Sequence, residues 1–308
     1  MPSEDTRDYH NLMTDTHDSI IRKTLTPLKP ILPDISIDLN IPADIRAVLF
    51  DIYGTLLISG TGDISLSSVQ RDTLDMDRIL KESNFEPYFK GCVEVIPNKL
   101  NRNIRVFHEK KKLEGVDYPE VEIRNIWKSV LKELWIEGSL VENPEDKPVD
   151  LLSLRHELSV NPVWPMPGFP EIIRSLRESG LHIGIVSNAQ FYTPLIIEAL
   201  AENTLEQIGF ETDLCAWSYK ILMAKPSKEI FRKPLDRLSK LGIQPSQVLY
   251  VGNDMLNDVS TASAAGCRTA LFAGDRRSLK LREGDKRVKV KPDMIIKELI
   301  QLETLITQ

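Results

Sequence analysis

Residues 45–57 read IRAVLFDIYGTLL, and this stretch decides the fold. IRAVLF is an apolar run of strand length. It ends abruptly in Asp51, with Gly54 close behind. A buried strand followed by a turn accounts for that order. A single aspartate in such a place is commonly a turn or cap residue, so its meaning depends on the rest of the chain.

Downstream of Pro165 the chain alternates. Residues 170–179 form a predicted helix, with proline in the first turn and Gly180 past the end. Strand LHIGIV (181–186) precedes a helix over 193–206. Strand DLCAW (213–217) precedes a helix over 227–241 that Gly242 stops. Strand QVLYV (247–251), a helix over 255–265, strand RTALFA (268–273) and a closing helix over 292–305 complete the series. Alternation of this kind predicts an α/β fold, a doubly wound parallel sheet covered on both faces. Residues 65–160 differ in character, being rich in Lys, Glu, Leu and Ile. VEIRNIWKSVLKELW (121–135) places Val121, Ile126, Val130, Leu131 and Leu134 near one helical face. The core is therefore expected in two pieces, 41–64 and 161–308, with an inserted α-helical cap over 65–160. Residues 1–40 are polar and then proline-dotted (Pro27, Pro30, Pro33) and read as a surface arm, with a packed helix near 10–25 as the alternative.

Composition narrows the function. The chain has 308 residues, 42% of them hydrophobic, and a formal net charge of −6, which disfavours a nucleic-acid partner. No apolar run approaches the roughly 18 residues of a membrane span, and the polar start MPSEDTRDYH lacks a signal-peptide core. Cys92, Cys215 and Cys267 are odd in number and widely spaced, as expected of reduced thiols in a cytoplasmic protein. The five histidines show no metal spacing, and His108, His156 and His182 read as structural. Lys110, Lys111 and Lys112 read as a solvated helix face. Neither G-x-x-x-x-G-K-[ST] nor H-E-x-x-H occurs.

In open α/β sheets ligands bind beyond the carboxyl ends of the strands. Asp51 stands at the first such end, and Ser187-Asn188 at the second. The loop after 213–217 leads to Lys225-Pro226, and 247–251 runs into GNDMLND with Asp254 and Asp258. A carboxylate, a hydroxyl, an ammonium and an acidic pair would meet in one crevice, for a small-molecule substrate.

Four segments in order, AVLFDIYGTLL, IVSNA, AKPSKEIF and VGNDMLNDV, resemble the four motifs of the haloacid dehalogenase superfamily, and the insertion between the first two resembles its helical caps. The resemblance covers residues 44–273. It implies that Asp51 attacks phosphorus or carbon and forms an ester, that Lys225 holds the Asp51 carboxylate, and that Ser187 binds oxygens of the transferred group. Thr55 and Asn188 would contact substrate. It also implies Mg2+ on the Asp51 carboxylate, the Tyr53 backbone carbonyl, Asp254 and Asp258, with Asn253 as the alternative to Asp254. The leading expectation is thus a Mg2+-dependent phosphohydrolase acting on a small phosphorylated metabolite.

One departure matters. Phosphatases of the family carry a second aspartate where this chain has Tyr53, and a positioned acid–base group typically contributes about 10²–10⁴ in rate. D-x-Y-G-T resembles the dehalogenases, whose halide leaving group needs no proton and whose chemistry needs no metal. Those enzymes carry a tyrosine where this chain has Phe231, and they lack the acidic pair. A metal-independent 2-haloacid dehalogenase is therefore the alternative, and a non-catalytic binding protein on the same fold the third. Asp63, in ISGTGD (58–63), is a candidate substitute acid.

Overall fold

The apolar run before Asp51 forms strand β1 (Ala47–Phe50), with all four side chains buried. It sits inside a six-stranded sheet in the computed structural model, which describes residues 17–40, 43–61, 75–85, 88–145 and 147–305. Helix α1 (residues 17–24) precedes it and β2 (Leu57–Ser59) follows it. Four helices come next: α2 (Met76–Glu82), α3 (Ile96–Leu113), α4 (Ile123–Ile136) and α5 (Asp150–Val160). The chain returns through β3 (Val163–Pro165), α6 (Glu171–Glu178), β4 (His182–Ser187), α7 (Tyr192–Ala201), α8 (Leu205–Ile208), β5 (Cys215–Trp217), α9 (Ser218–Ile221) and α10 (Arg232–Ser239). Strand β6 (Val248–Gly252) leads into a π-helical turn (Met255–Ser260) and α11 (Thr261–Ala264). Strands β7 (Arg268–Phe272) and β8 (Met294–Ile296) and a 3₁₀ segment (Leu299–Leu305) end the described chain.

The sheet order is β5-β4-β1-β6-β7-β8, and every pairing is parallel. This is a doubly wound α/β sheet, as expected. The chain winds outward from β1 through β4 and β5, then crosses to β6, so the order reverses beside β1. Side chains alternate along β1. Val48 and Phe50 face one apolar layer with Ile172, Ile196 and Leu299, while Ala47 and Leu49 face the other with Ile230, Leu238 and Ala262. Full burial of each large apolar side chain contributes about 2 kcal/mol. That two-sided burial is why the strand reads as a continuous apolar run.

The insertion is helical as expected and has its own core, built around Trp127 with Ile126, Val130, Leu131 and Leu134 from one face of α4. Lys110, Lys111 and Lys112 close the last turn of α3, where they oppose the helix dipole. No helix among the described residues is long and apolar enough to cross a membrane.

Several elements differ from the sequence reading, each for a local reason. The 292–305 helix is instead strand β8 followed by a 3₁₀ segment, because Met294–Ile296 pair with Ala270–Phe272. The 227–241 helix starts as a 3₁₀ turn (Lys228–Phe231), since Pro234 has no N–H to give to the carbonyl of Ile230. The arm packs more than expected: α1 buries Ile21, and Asp38 exchanges backbone hydrogen bonds with Ile295 at 2.9 and 2.7 Å, covering the β8 edge.

The two chain passages between insertion and sheet pair with each other as an antiparallel ribbon, β2 with β3. A buried polar group sits beside it. Glu157 of α5 accepts from Tyr192 Oη (2.8 Å) and Asn161 Nδ2 (3.2 Å), and Asn161 in turn accepts from Ser59 Oγ (2.7 Å) and Thr61 Oγ1 (3.1 Å). These partners are neutral, and burial pushes the Glu157 carboxyl above its usual range. A group raised in the folded state stabilises the fold below its unfolded pKa and loses that contribution as pH climbs through the folded value. Glu157→Gln should therefore gain stability relative to the parent as pH rises from about 4 to about 8, read from paired urea midpoints. Parallel curves would contradict it.

Candidate active site

Asp51 is the residue directly after β1, and its N–H still donates to Val251 O at 2.9 Å, so strand pairing fixes its main chain. The chain then turns sharply: the N–H groups of Thr55, Leu56 and Leu57 all reach Ile52 O, and Gly54 has φ +82°. A Cβ on Gly54 would stand 2.5 Å from Ser278 Cβ and 2.6 Å from Asn253 Nδ2, so only glycine fits there. Register then sets the neighbours. Ser187 ends β4 and Gly252 ends β6, the strands on either side of β1.

Ser187 Oγ donates to Asp51 Oδ1 at 2.9 Å, and Lys225 Nζ donates to the same oxygen at 2.8 Å. Lys225 also donates to Asp258 Oδ1 (2.6 Å) and to Tyr250 Oη (2.7 Å), whose own proton goes to Val186 O (2.7 Å). Val186 O lies 3.3 Å from the same Nζ, so three N–H groups face four acceptors. Asp258 reaches this place because Gly252 has no side chain; a Cβ there would lie 2.4 Å from Asp258 Cγ. Burial works against the charge of Lys225, but Asp258 and Asp51 together reverse that and hold the ammonium above its usual pKa. Burial pushes Asp258 upward, while Lys225 pulls it back and Asp51 adds repulsion. One buried cation between two carboxylates leaves net negative charge at the centre. Both contacts on Asp51 fall on Oδ1, and among the described residues none donates to Oδ2.

Asn188, expected at the substrate, pairs with the Lys225 backbone. It accepts from Lys225 N at 2.7 Å and donates to Lys225 O at 3.2 Å, so it sets the height of the lysine. Thr55 Oγ1 donates to Asn253 Oδ1 at 3.3 Å, toward the acidic segment. The phenol of Tyr53 bonds Thr193 Oγ1 at 2.9 Å, and burial, with Glu157 next, raises its pKa far above the usual value. It is a neutral group bonded to α7. Phe231 packs edge-on against Tyr250, ring centroids 4.9 Å apart. Asp63 lies outside the described residues.

The expected metal ligands divide. Asp254 Oδ1 accepts from the N–H groups of Leu256 (2.8 Å) and Asn257 (3.2 Å), and both its oxygens accept from Arg282, at 3.1 Å to Nε and 2.5 Å to Nη2. Arg282 holds this pose with φ +55°, a conformation a non-glycine side chain adopts only when its surroundings impose it. Asp258 Oδ2 accepts from Asp254 N at 2.9 Å, so both of its oxygens are also engaged. No cluster of three His, Cys, Asp or Glu suited to a metal occurs among the described residues. Beside the first turn stand the Asp51 carboxylate, the Tyr53 carbonyl and Asn253 Oδ1, the last of which also accepts from Thr55 Oγ1. This oxygen-only set with one carboxylate fits Mg2+ when water and substrate complete its shell. Asp254 and Asp258, the other expected ligands, accept hydrogen bonds on both oxygens, Asp254 from its own turn and Arg282, Asp258 from Lys225 and Asp254 N.

Sequence reasoning missed Tyr250 and Arg282. Tyr250 is a polar-tipped residue inside an apolar strand, and buried tyrosines usually find a partner. For Arg282, 28 residues from its partner, the sequence carries no signal.

The chain is 28% identical over 137 residues to the N-acetylmuramic acid 6-phosphate phosphatase of Pseudomonas aeruginosa, covering 43% of this chain and 56% of that protein. It is 28% identical over 123 residues to the ribulose-1,5-bisphosphate 5-phosphatase of Halopiger xanaduensis, covering 39% of this chain and 47% of that one. The chain thus spans about half the length of these curated relatives. The fold is similar to the crystal structure of a 2-haloacid dehalogenase from Pseudomonas syringae pv. Tomato, with TM-score 0.53, 19% identity and coverage of 85% and 98% of the two chains. The haloacid dehalogenase-like hydrolase family matches residues 45–266, a span that holds Asp51, Ser187, Lys225, Tyr250 and Asp258. By that match the chain belongs to the haloacid dehalogenase-like hydrolases.

Proposed function

We propose that this hydrolase cleaves small phosphate esters through a covalent aspartyl phosphate on Asp51. The observation that carries the reading is the asymmetry of that carboxylate. Lys225 and Ser187 both hold Oδ1, which leaves Oδ2 as the attacking atom. The two phosphatases similar in sequence support phosphorus over carbon as the electrophile.

Oδ2 attacks phosphorus, and the bond to the leaving oxygen breaks with its electron pair. Lys225 and Ser187 keep the carboxylate oriented as its charge passes to the transferred group. A water then attacks phosphorus, the bond to Oδ2 breaks, and the carboxylate is restored with release of phosphate. Mg2+ held by Asp51, the Tyr53 carbonyl and Asn253 would offset repulsion between carboxylate and phosphate dianion. Tyr53 supplies no acid here, since its phenol is bonded to Thr193. Leaving groups that depart as stable anions are therefore the suitable ones. The free thiols Cys215 and Cys267, pushed by burial to about 12, suit a reducing cytoplasm.

A leaving-group series tests this. Turnover of p-nitrophenyl phosphate and acetyl phosphate in Mg2+ should exceed that of an alkyl phosphate by about 10²-fold or more, and EDTA should abolish it. Tyr53→Phe should change these rates by less than about threefold, because only a bond to Thr193 is lost. Equal rates across the series, or a large loss in Tyr53→Phe, would contradict the assignment. The second reading, halide displacement at carbon, is favoured by one observation, the occupied carboxyls of Asp254 and Asp258. Halide release from a 2-haloacid in EDTA would establish it instead.

A further inference from the structure

The loop between α3 and α4 does more than join two helices. It lies across the segment that follows Ser187 and the one that precedes Lys225. Ala224 N donates to Tyr118 O at 2.8 Å and Glu120 N donates to Leu222 O at 3.1 Å, so residues 118–120 and 222–224 form a short ladder that stops one residue before Lys225. Leu222 sits at φ +55°. Its backbone thus occupies a disfavoured region at the residue whose carbonyl accepts from the inserted loop.

The Ser187 side is bound as well. Gln190 Nε2 donates to Val121 O (2.9 Å) and to Glu120 Oε1 (3.3 Å), and Gln190 Oε1 accepts from Ile123 N (2.9 Å). Glu120 Oε2 accepts from Ser218 Oγ at 2.9 Å, and that hydroxyl accepts from Ala189 N, also at 2.9 Å. Val121 N also donates to Glu120 Oε1 at 2.9 Å, so Glu120 gathers donors from its own loop, from the segment after Ser187 and from α9. A carboxylate whose partners are serine, glutamine and backbone gains no ion pair from this position. Desolvation accordingly raises its pKa. From Ala189 the connection reaches Asn188 and, through its paired bonds, the Lys225 backbone.

We propose that Glu120 and Gln190 are positioning residues that make the placement of Ser187 and Lys225 conditional on docking of the 118–123 loop. The proposal rests on Lys225 serving Asp51 in the reaction proposed above. In the undocked chain the 222–224 ladder and the bonds from Gln190 and Ser218 to the loop are open, and the Lys225 backbone keeps only its pairing with Asn188. Closure over a substrate then assembles the reactive cluster, which couples insertion movement to chemistry.

Hydrogen exchange on the full chain, read at peptides covering 186–191 and 218–225, tests this without any substrate. Steady-state rates on p-nitrophenyl phosphate give the second readout. Gln190→Ala and Glu120→Ala should each speed exchange in both peptides and lower kcat about tenfold or more, with KM changed less. Glu120→Gln should behave like the parent, because its amide oxygen keeps the Val121 and Gln190 bonds while Ser218 Oγ turns to Ala189 O, 3.1 Å away. Exchange unchanged in both peptides, with only thermal stability lowered, would reduce the loop to packing and overturn the proposal. Faster exchange with unchanged kcat would also overturn it, since Lys225 placement would not depend on docking. A parent chain inert toward every phosphate would overturn the phosphatase reading, while the exchange result would still decide whether the loop orders these two segments.

Discussion

Asp51→Asn should abolish turnover of p-nitrophenyl phosphate, a loss of about 10⁴-fold or more, while leaving the fold intact. The amide keeps an oxygen for Ser187 Oγ and Lys225 Nζ, which stand 2.9 and 2.8 Å from Oδ1. It cannot act as a carboxylate nucleophile. Removing one of two carboxylates around a single buried ammonium also relieves like-charge crowding with Asp258. The thermal midpoint should therefore stay level or rise, which separates lost chemistry from lost structure. A variant that keeps activity within tenfold of the parent would show that Oδ2 is not the attacking atom.

Lys225→Met should be the most damaging change to the fold among the site residues. Lys225 is 5% exposed and bridges Asp51 and Asp258. Without it two buried carboxylates face each other with no cation, and breaking such a pair typically costs about 3–5 kcal/mol. Activity should vanish too. The double variant Lys225→Met, Asp258→Asn should recover much of the stability and none of the activity, because it removes one stranded charge without restoring the group that orients Asp51. Urea midpoints of parent, single and double variants measure this coupling. A Lys225→Met chain within about 1 kcal/mol of the parent would mean that water reaches the site and screens the pair.

Much of this site can be read in the sequence because buried strands make charged residues conspicuous. Asp51 ends an apolar run, and Ser187 and the GNDMLND segment follow two others. A parallel sheet brings such ends to one edge whatever their separation along the chain. The same logic yields the sheet, since strands buried on both faces are apolar throughout, as Val248–Gly252 is. It yields the helical insertion through the face of α4, although the spacing does not mark Trp127, which lies at the centre of that core.

What the sequence withholds is side-chain direction. Asn188 and Asp254 both lie beside the crevice, yet one clamps the Lys225 backbone and the other caps a helical turn and pairs with Arg282. The clamp and the Arg282 pair leave no signal within a few residues of the group concerned, whereas the cap is local, made to residues two and three positions on. Likewise Asn253, one position before Asp254, is the residue that faces Thr55, because the chain turns between the two. The N-terminal arm reads as polar and loose, but its pairing partner Ile295 is more than 250 residues away. Contacts of that range follow from the assembled sheet and not from local pattern.

The most direct test of the central claim is chemical trapping of the intermediate. The chain is mixed with p-nitrophenyl phosphate and Mg2+, quenched during turnover, reduced with borohydride and digested for mass spectrometry. An aspartyl phosphate is an activated acyl group that borohydride reduces to an alcohol, whereas a free carboxylate is untouched. The account predicts an alcohol at position 51, in the peptide that holds IRAVLFDIYGTLL, and none in Asp51→Asn or without substrate. Steady release of p-nitrophenol with position 51 unreduced throughout would contradict it and show that water attacks the substrate directly.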